Sequence, residues 1–237
     1  MNEQFSRETM ILGDAALETL QQSHAAVFGI GGVGSFCAEA LARAGIGTLT
    51  LVDDDVVAVS NLNRQLIALH STVGRPKAEV MAERIKDINP ACRVHVINAR
   101  YEPDTREAFF SQKYDFIADC IDSVTCKIDL IVTAIERQVP IISSMGTGNK
   151  LDPTRFEITD LSKTSGCPLA RVMRRELKAR QIIHHTVLFS PEPARKPVQP
   201  AMADAPKRSV PGSVSWVPSC AGLMIAGYII RTLLHIE

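Results

Sequence analysis

Between Val27 and Lys77 the chain carries residue types that suit holding a nucleoside triphosphate and attacking it. The run Gly29-Ile30-Gly31-Gly32-Val33-Gly34 lies between an apolar stretch and a helix-like one. Glycines there let the backbone turn sharply and approach phosphate oxygens, while free amides at the helix start face the anion. Gly29, Gly31, Gly32 and Gly34 are therefore the anion-cradle candidates. Asp53, in Asp53-Asp54-Asp55, ends the next apolar stretch and is placed to accept both ribose hydroxyls. Asp55 is second, and a solvated strand end is the bland alternative. So far a dinucleotide would fit equally well. Asn61 and Arg64, in Asn-x-x-Arg spacing, and Lys77, behind Gly74-Arg75-Pro76, favour a triphosphate. A leaving pyrophosphate needs cations around it as the bond breaks, and Arg64 supplies a fork where Lys77 supplies a point charge. Asp122, in Asp119-Cys120-Ile121-Asp122-Ser123, reads as lying beyond the carboxyl end of a strand, where open α/β sheets bind ligands. A carboxylate facing a triphosphate makes chemical sense when Mg²⁺ bridges them. An N-cap role for Asp122 is compatible with that.

The elements that must position these residues follow from hydrophobic period and breakers. Strands are expected at Ala25–Gly29, Gly47–Val52, Val94–Asn98, Phe116–Cys120 and Val139–Ser143. Helices are expected at Gly13–Gln22, Gly34 to about Gly45, Pro76–Ile88, Asp104–Phe110 and Ser123–Arg137. Such alternation predicts an α/β, Rossmann-like, mostly parallel sheet with helices on both faces. After Met145 the texture changes. Strands at Phe156–Leu161 and Ile182–Phe189, a basic helix at Pro168–Arg180, and a Pro/Ala/Lys-rich loop at Pro191–Pro211 are expected. The expectation is one domain over 1–237, with a nucleotide-binding core at about 25–150 and a substrate-facing, dimerising extension at about 151–237.

A formal net charge of zero gives no global attraction for nucleic acid. Local contact would fall to Arg171, Arg174, Arg175 and Lys178 with Arg180 on the basic helix, followed by Arg195, Lys196, Lys207 and Arg208. A solvated helix face explains the first group equally well. Trp216 offers a stacking surface or a core residue. The N-terminus lacks the apolar run of a secretory signal. The six cysteines form no Cys-x-x-Cys pair, which fits buried thiols in a cytosolic chain and leaves no set of ligands for structural zinc. Val217–Leu234 reads as a packed C-terminal helix, with membrane contact as the alternative.

The glycine loop, Asp53, Asn61-x-x-Arg64, Lys77 and Asp122 together resemble the ATP-adenylating core of ubiquitin-activating-like enzymes, over roughly Ala25 to Gly148. That resemblance implies adenylation of a carboxylate, pyrophosphate release and a homodimer. It also implies that an N-terminal arginine, here Arg7, reaches the ATP of the neighbouring subunit; a solvated arginine is the default. The segments Ser144–Lys150, Thr164–Leu169 and Gly212–Pro218 are similar to the tRNA threonylcarbamoyladenosine dehydratase family, nearly over the whole chain. This second resemblance implies ATP-dependent activation of the threonyl carboxylate beside the tRNA anticodon, then ring closure by the substrate's own carbamoyl group. It implies tRNA as partner and an association with a cysteine desulfurase system, and leaves open a monovalent cation. No protein nucleophile is required, so Cys167 is read as packing before it is read as reactive, and Cys126 as core. Three alternatives stay open: an adenylyltransferase for the C-terminus of a ubiquitin-like sulfur carrier, a nicotinamide oxidoreductase disfavoured by Arg64 and Lys77, and a nucleotide-sensing scaffold.

Overall fold

The computed structural model describes residues 3–196, 198 and 211–236. Its sheet has seven strands in the order β3-β2-β1-β4-β5-β7-β6. These are β1 (His24–Phe28), β2 (Thr48–Val52), β3 (Arg93–Ile97), β4 (Phe116–Asp119), β5 (Ile141–Ser144), β6 (Glu157–Asp160) and β7 (Thr186–Phe189). Every pairing is parallel except β6 with β7. The fold is therefore α/β with a mostly parallel sheet. The central strands β1, β2 and β4 are buried almost throughout, so β1 and β4 run largely apolar, while β2 alternates Thr with Leu and buries Thr50 as well.

Helices cover both faces. One core layer joins α3 (Gly34–Arg43), α4 (Lys77–Ile88) and α8 (Trp216–Leu233) to the sheet through Leu41, Leu49, Met81, Ile85 and Ile225. The other joins α5 (Arg106–Phe109), α6 (Val124–Glu136) and α7 (Pro168–Ala179) through Phe28, Phe109, Ile131 and Met173. Two further helices, α1 (Ser6–Leu12) and α2 (Asp14–Gln22), precede β1.

The strand order reverses direction between β1 and β4, and the crevice above their carboxyl ends is where such sheets take ligands. The extension belongs to the same sheet, because Ser143 and Ser144 pair with Val187 and Leu188. Its last helix, α8, buries Val217, Ala221, Ile225, Ala226 and Ile229. It presses against the start of α3 so closely that a Cβ on Gly222 would sit 2.2 Å from the Val33 carbonyl oxygen. The helix has the length and composition to cross a bilayer, with 39% of that window buried in the protein.

Several boundaries differ from expectation. β7 begins at Thr186 rather than Ile182, because Gln181 adopts a positive φ of 65° and the chain runs irregularly to His185. Trp216 is not core: it is about half exposed and donates its indole N–H to the Leu151 carbonyl at 2.7 Å. Of the expected Pro191–Pro211 loop, residue 197 and residues 199–210 lie outside the described residues, and Lys207 and Arg208 with them.

Candidate active site

The glycine loop is fixed from two sides. Gly29 turns with φ of +90°, and a Cβ there would lie 2.7 Å from the Cys120 carbonyl oxygen. At Gly34 the constraint is space: a Cβ would stand 1.8 Å from the Gly29 oxygen. Only the absence of side chains lets the loop close against β4 and start α3 at once.

Asp53 then pins the loop. Its carboxylate accepts the Ile30 amide at 2.6 Å and the Asp55 amide at 2.9 Å. Burial pushes the Asp53 carboxyl up from its ordinary value, opposed by the Lys77 charge and those two amides. Lys77 opens α4 with a side chain 6% exposed, and its Nζ donates to Asp55 Oδ2 at 2.6 Å. Asn61 is buried and accepts the Ala58 amide at 3.0 Å, which fixes the turn carrying Arg64. Arg64 donates through one guanidinium nitrogen to the Ser60 carbonyl and to Asn63 Oδ1, both at 2.9 Å, while the Cγ of its stem lies beside Gly32. Asp122 is exposed and has no hydrogen-bond partner among the described residues. It does not cap α6; the N-cap position is Ser123, whose side chain makes no cap bond.

Of the candidate site residues on these elements, Gly29, Gly31, Gly32, Asp53, Asp55, Asn61, Arg64, Lys77 and Asp122 line one cavity of about 570 Å³, and Gly34 does not; the size is typical of small-molecule sites. The sequence reading missed several of its other walls. At one end stand Ala99, Arg100, Tyr101 and Cys126, beyond β3 and at the start of α6. At the other stand Thr147, Ser213 and Pro218, beyond β5 and at the start of α8. Gln65 lines it too, 8% exposed, with Oε1 buried and unpartnered. The signals available were its place directly after Arg64 and the Gly/Ser/Thr texture of 144–150 and 212–218. Cys120 forms part of the wall with its thiol pushed up to about 12, chiefly by burial and then by the Asp119 charge.

Below the cavity floor lies a buried polar chain. Asp119, at the end of β4, accepts Lys127 Nζ at 2.8 Å and Ser143 Oγ at 2.6 Å on Oδ2, and the Ile121 amide at 3.2 Å on Oδ1. Both ion-pair side chains are 0% exposed. His185 Nε2 meets Ser143 Oγ at 2.8 Å, and its pKa is pushed down to about 4 by burial first and the Lys127 charge second. Since Ser143 donates to Asp119, His185 is the neutral Nε2–H tautomer donating to Ser143.

The three acids Asp53, Asp54 and Asp55 converge within 4.8 Å of one another. Two of them are engaged by amides and by Lys77, which argues against that cluster as a cation cage. Arg7, on α1, is exposed and lies outside the cavity of its own chain. Arg171, Arg175 and Lys178 are exposed on α7. Arg174 is not a free phosphate contact: its guanidinium is tied to the Thr164 carbonyl, at 2.7 Å, and hydroxyl. Cys126 and Cys167 are buried.

Known proteins place this arrangement. The ThiF family profile matches residues 5–237. The tRNA threonylcarbamoyladenosine dehydratase of Bacillus subtilis (strain 168) is 46% identical over 243 residues, spanning 99% of this chain and 96% of that protein. The crystal structure of Escherichia coli tRNA N6-threonylcarbamoyladenosine dehydratase in complex with ATP superposes with a TM-score of 0.89 at 37% identity, covering 98% and 94% of the two chains. The molybdopterin-synthase adenylyltransferase of Escherichia coli (strain K12) is 33% identical over 158 residues, 67% of this chain and 61% of that protein.

Proposed function

The chain belongs to the ThiF family, and on that premise we propose that it uses ATP to dehydrate and cyclise N6-threonylcarbamoyladenosine beside the anticodon of tRNA. The observation that carries this reading is the convergence, in one cavity, of an amide-rich glycine loop with Arg64 and Lys77. The near-full-length likeness to enzymes of that name supports it. A carboxylate is a poor electrophile and its oxygen a poor leaving group. One threonyl carboxylate oxygen attacks the α-phosphorus of ATP, pyrophosphate departs toward Arg64 and Lys77, and the carboxyl carbon now bears AMP. The substrate's carbamoyl group attacks that carbon within the same molecule, AMP leaves, and the net change is loss of one water. Holding both partners in one ring-forming geometry supplies the rate advantage of proximity.

Asp122 fits a magnesium ion, because it is an unpartnered carboxylate on the cavity wall where phosphate charge would gather. The ion would screen the phosphates and help the pyrophosphate leave. The exposed apolar residues Met10 and Ile11 on α1, each 85% exposed, and Leu223 on α8 suit a homodimer in which Arg7 serves the neighbouring cavity. Arg171, Arg175 and Lys178 give tRNA a phosphate-binding face. We place the enzyme in the cytosol, with α8 as a core helix rather than a membrane contact. A monovalent cation and a cysteine desulfurase partner rest on the family resemblance alone.

The test is incubation with ATP and threonylcarbamoylated tRNA, followed by nucleoside mass analysis. Loss of one water from the modified adenosine is expected. Pyrophosphate exchange that requires only a carrier protein's C-terminus would overturn this reading in favour of a sulfur-carrier adenylyltransferase.

A further inference from the structure

The cavity is longer than a nucleotide's phosphate cradle requires. Its walls run from residues beyond β3 to residues beyond β5. Four strand intervals separate those ends, which is about 19 Å. Asp53, the ribose candidate at the end of β2, assigns the β3 side to the nucleoside. The glycine loop and Arg64 hold the middle. The β5 side is left for whatever attacks the phosphorus.

That end is built, and two of its polar groups are idle. Thr147 and Ser213 line it with partly buried hydroxyls that have no partner among the described residues. Other groups of the same segments are engaged. Asn63 Nδ2 donates to the Ser213 carbonyl at 3.0 Å, and the Gly212 amide donates to Asn149 Oδ1 at 2.7 Å. Trp216 reaches Leu151, and a Cβ on Gly148 would stand 2.8 Å from Pro211. The segment 211–216 is thus strapped across the β5 end, and the eighteen-residue helix α8 begins there, with Pro218 against Gly32. A helix start favours negative charge close by.

Resting on the function proposed above, we infer that the β5 end of the cavity is the acceptor subsite, where the Thr147 and Ser213 hydroxyls bind the threonyl group of the modified adenosine. Its ligand is a small carboxylate flanked by a hydroxyl and a urea N–H. The Thr147 and Ser213 hydroxyls donate to the carboxylate, orienting it on the phosphorus. The two idle hydroxyls, both donors, thereby match a carboxylate in sign.

The experiment compares Thr147→Val and Ser213→Ala with the parent in three assays. These are steady-state kinetics with threonylcarbamoylated tRNA, ATP binding by calorimetry, and inhibition by tRNA lacking the modification. Each variant should lose about tenfold to a hundredfold in kcat/KM for the modified tRNA, the worth of one hydrogen bond to a charged group. ATP affinity and inhibition by unmodified tRNA should stay within about twofold of the parent. Unchanged kcat/KM in both variants overturns the subsite. So does a parallel loss of ATP affinity, which would make the strap structural only. If the parent binds ATP yet removes no water from modified tRNA, the functional reading itself fails, and the subsite falls with it.

Discussion

Replacing Lys127 by Met removes one half of a fully buried ion pair while keeping much of the side chain's length. Asp119 would keep the Ser143 and Ile121 bonds but lose Lys127 Nζ, and with 0% exposure it has no water to turn to. Stranding a buried charge costs about 3–5 kcal/mol, a large share of a domain's usual 5–15 kcal/mol. With a urea slope of roughly 2–3 kcal/mol per molar, the unfolding midpoint followed by far-ultraviolet circular dichroism should fall by about 1–2.5 M. The paired substitution Asp119→Asn with Lys127→Met leaves no charge, and the Asn oxygen can still accept the Ile121 amide. It should lie within about 2 kcal/mol of the parent. AMP transfer should follow the same order, because the Asp119–Ile121 bond shapes the turn that carries Asp122. An unshifted midpoint in the single variant, or a double variant no better than the single one, would refute the view that the pair's charge balance holds this floor together.

Other outcomes follow from the same geometry. Lys77→Ala and Asp122→Ala should each slow AMP transfer by about a hundredfold or more with circular dichroism unchanged; near-normal turnover in both would remove them from the site. Gly34→Ala places a methyl 1.8 Å from the Gly29 oxygen, so ATP binding measured by calorimetry should be lost and thermal stability reduced. His185 binds its proton near 6.5 when unfolded but only near 4 when folded. The unfolded chain therefore holds more protons between those values, and stability should decline as pH falls from about 6.5 to about 4, by about 3 kcal/mol in total. The His185→Gln protein should show a shallower decline over that window in urea titrations at stepped pH.

Legibility differed across the molecule for physical reasons. Strands β1, β2 and β4 and helices α3, α4 and α6 were plain because full burial and amphipathic period leave a dense local signal. Gly29–Gly34 and Asp53 were readable because a tight strand-to-helix turn restricts residue type. That Asp53 holds the Ile30 amide was not, since it depends on two elements meeting across twenty-three positions. Thr147 and Ser213 are sixty-six residues apart and share a cavity only because β5 ends and α8 begins beside it, so their texture showed but their convergence did not. Lys127 looked like one more charged helix residue, and only tertiary packing makes it the partner of Asp119. Of the two readings open for Trp216, the core one fails because its ring lies at a helix start rather than on the helix's packed face.

Cys120 carries a consequence for the chemistry housed above it. An acyl phosphate anhydride reacts readily with sulfur anions, and a neighbouring thiolate would capture it as a thioester. Burial pushes the Cys120 thiol up to about 12, so its sulfur stays protonated at neutral pH. Cys120 is thus chemically quiet toward the intermediate beside it, and the activated carbonyl is left to the nucleophile it carries itself. Iodoacetamide should for the same reason leave Cys120 unlabelled in the folded protein.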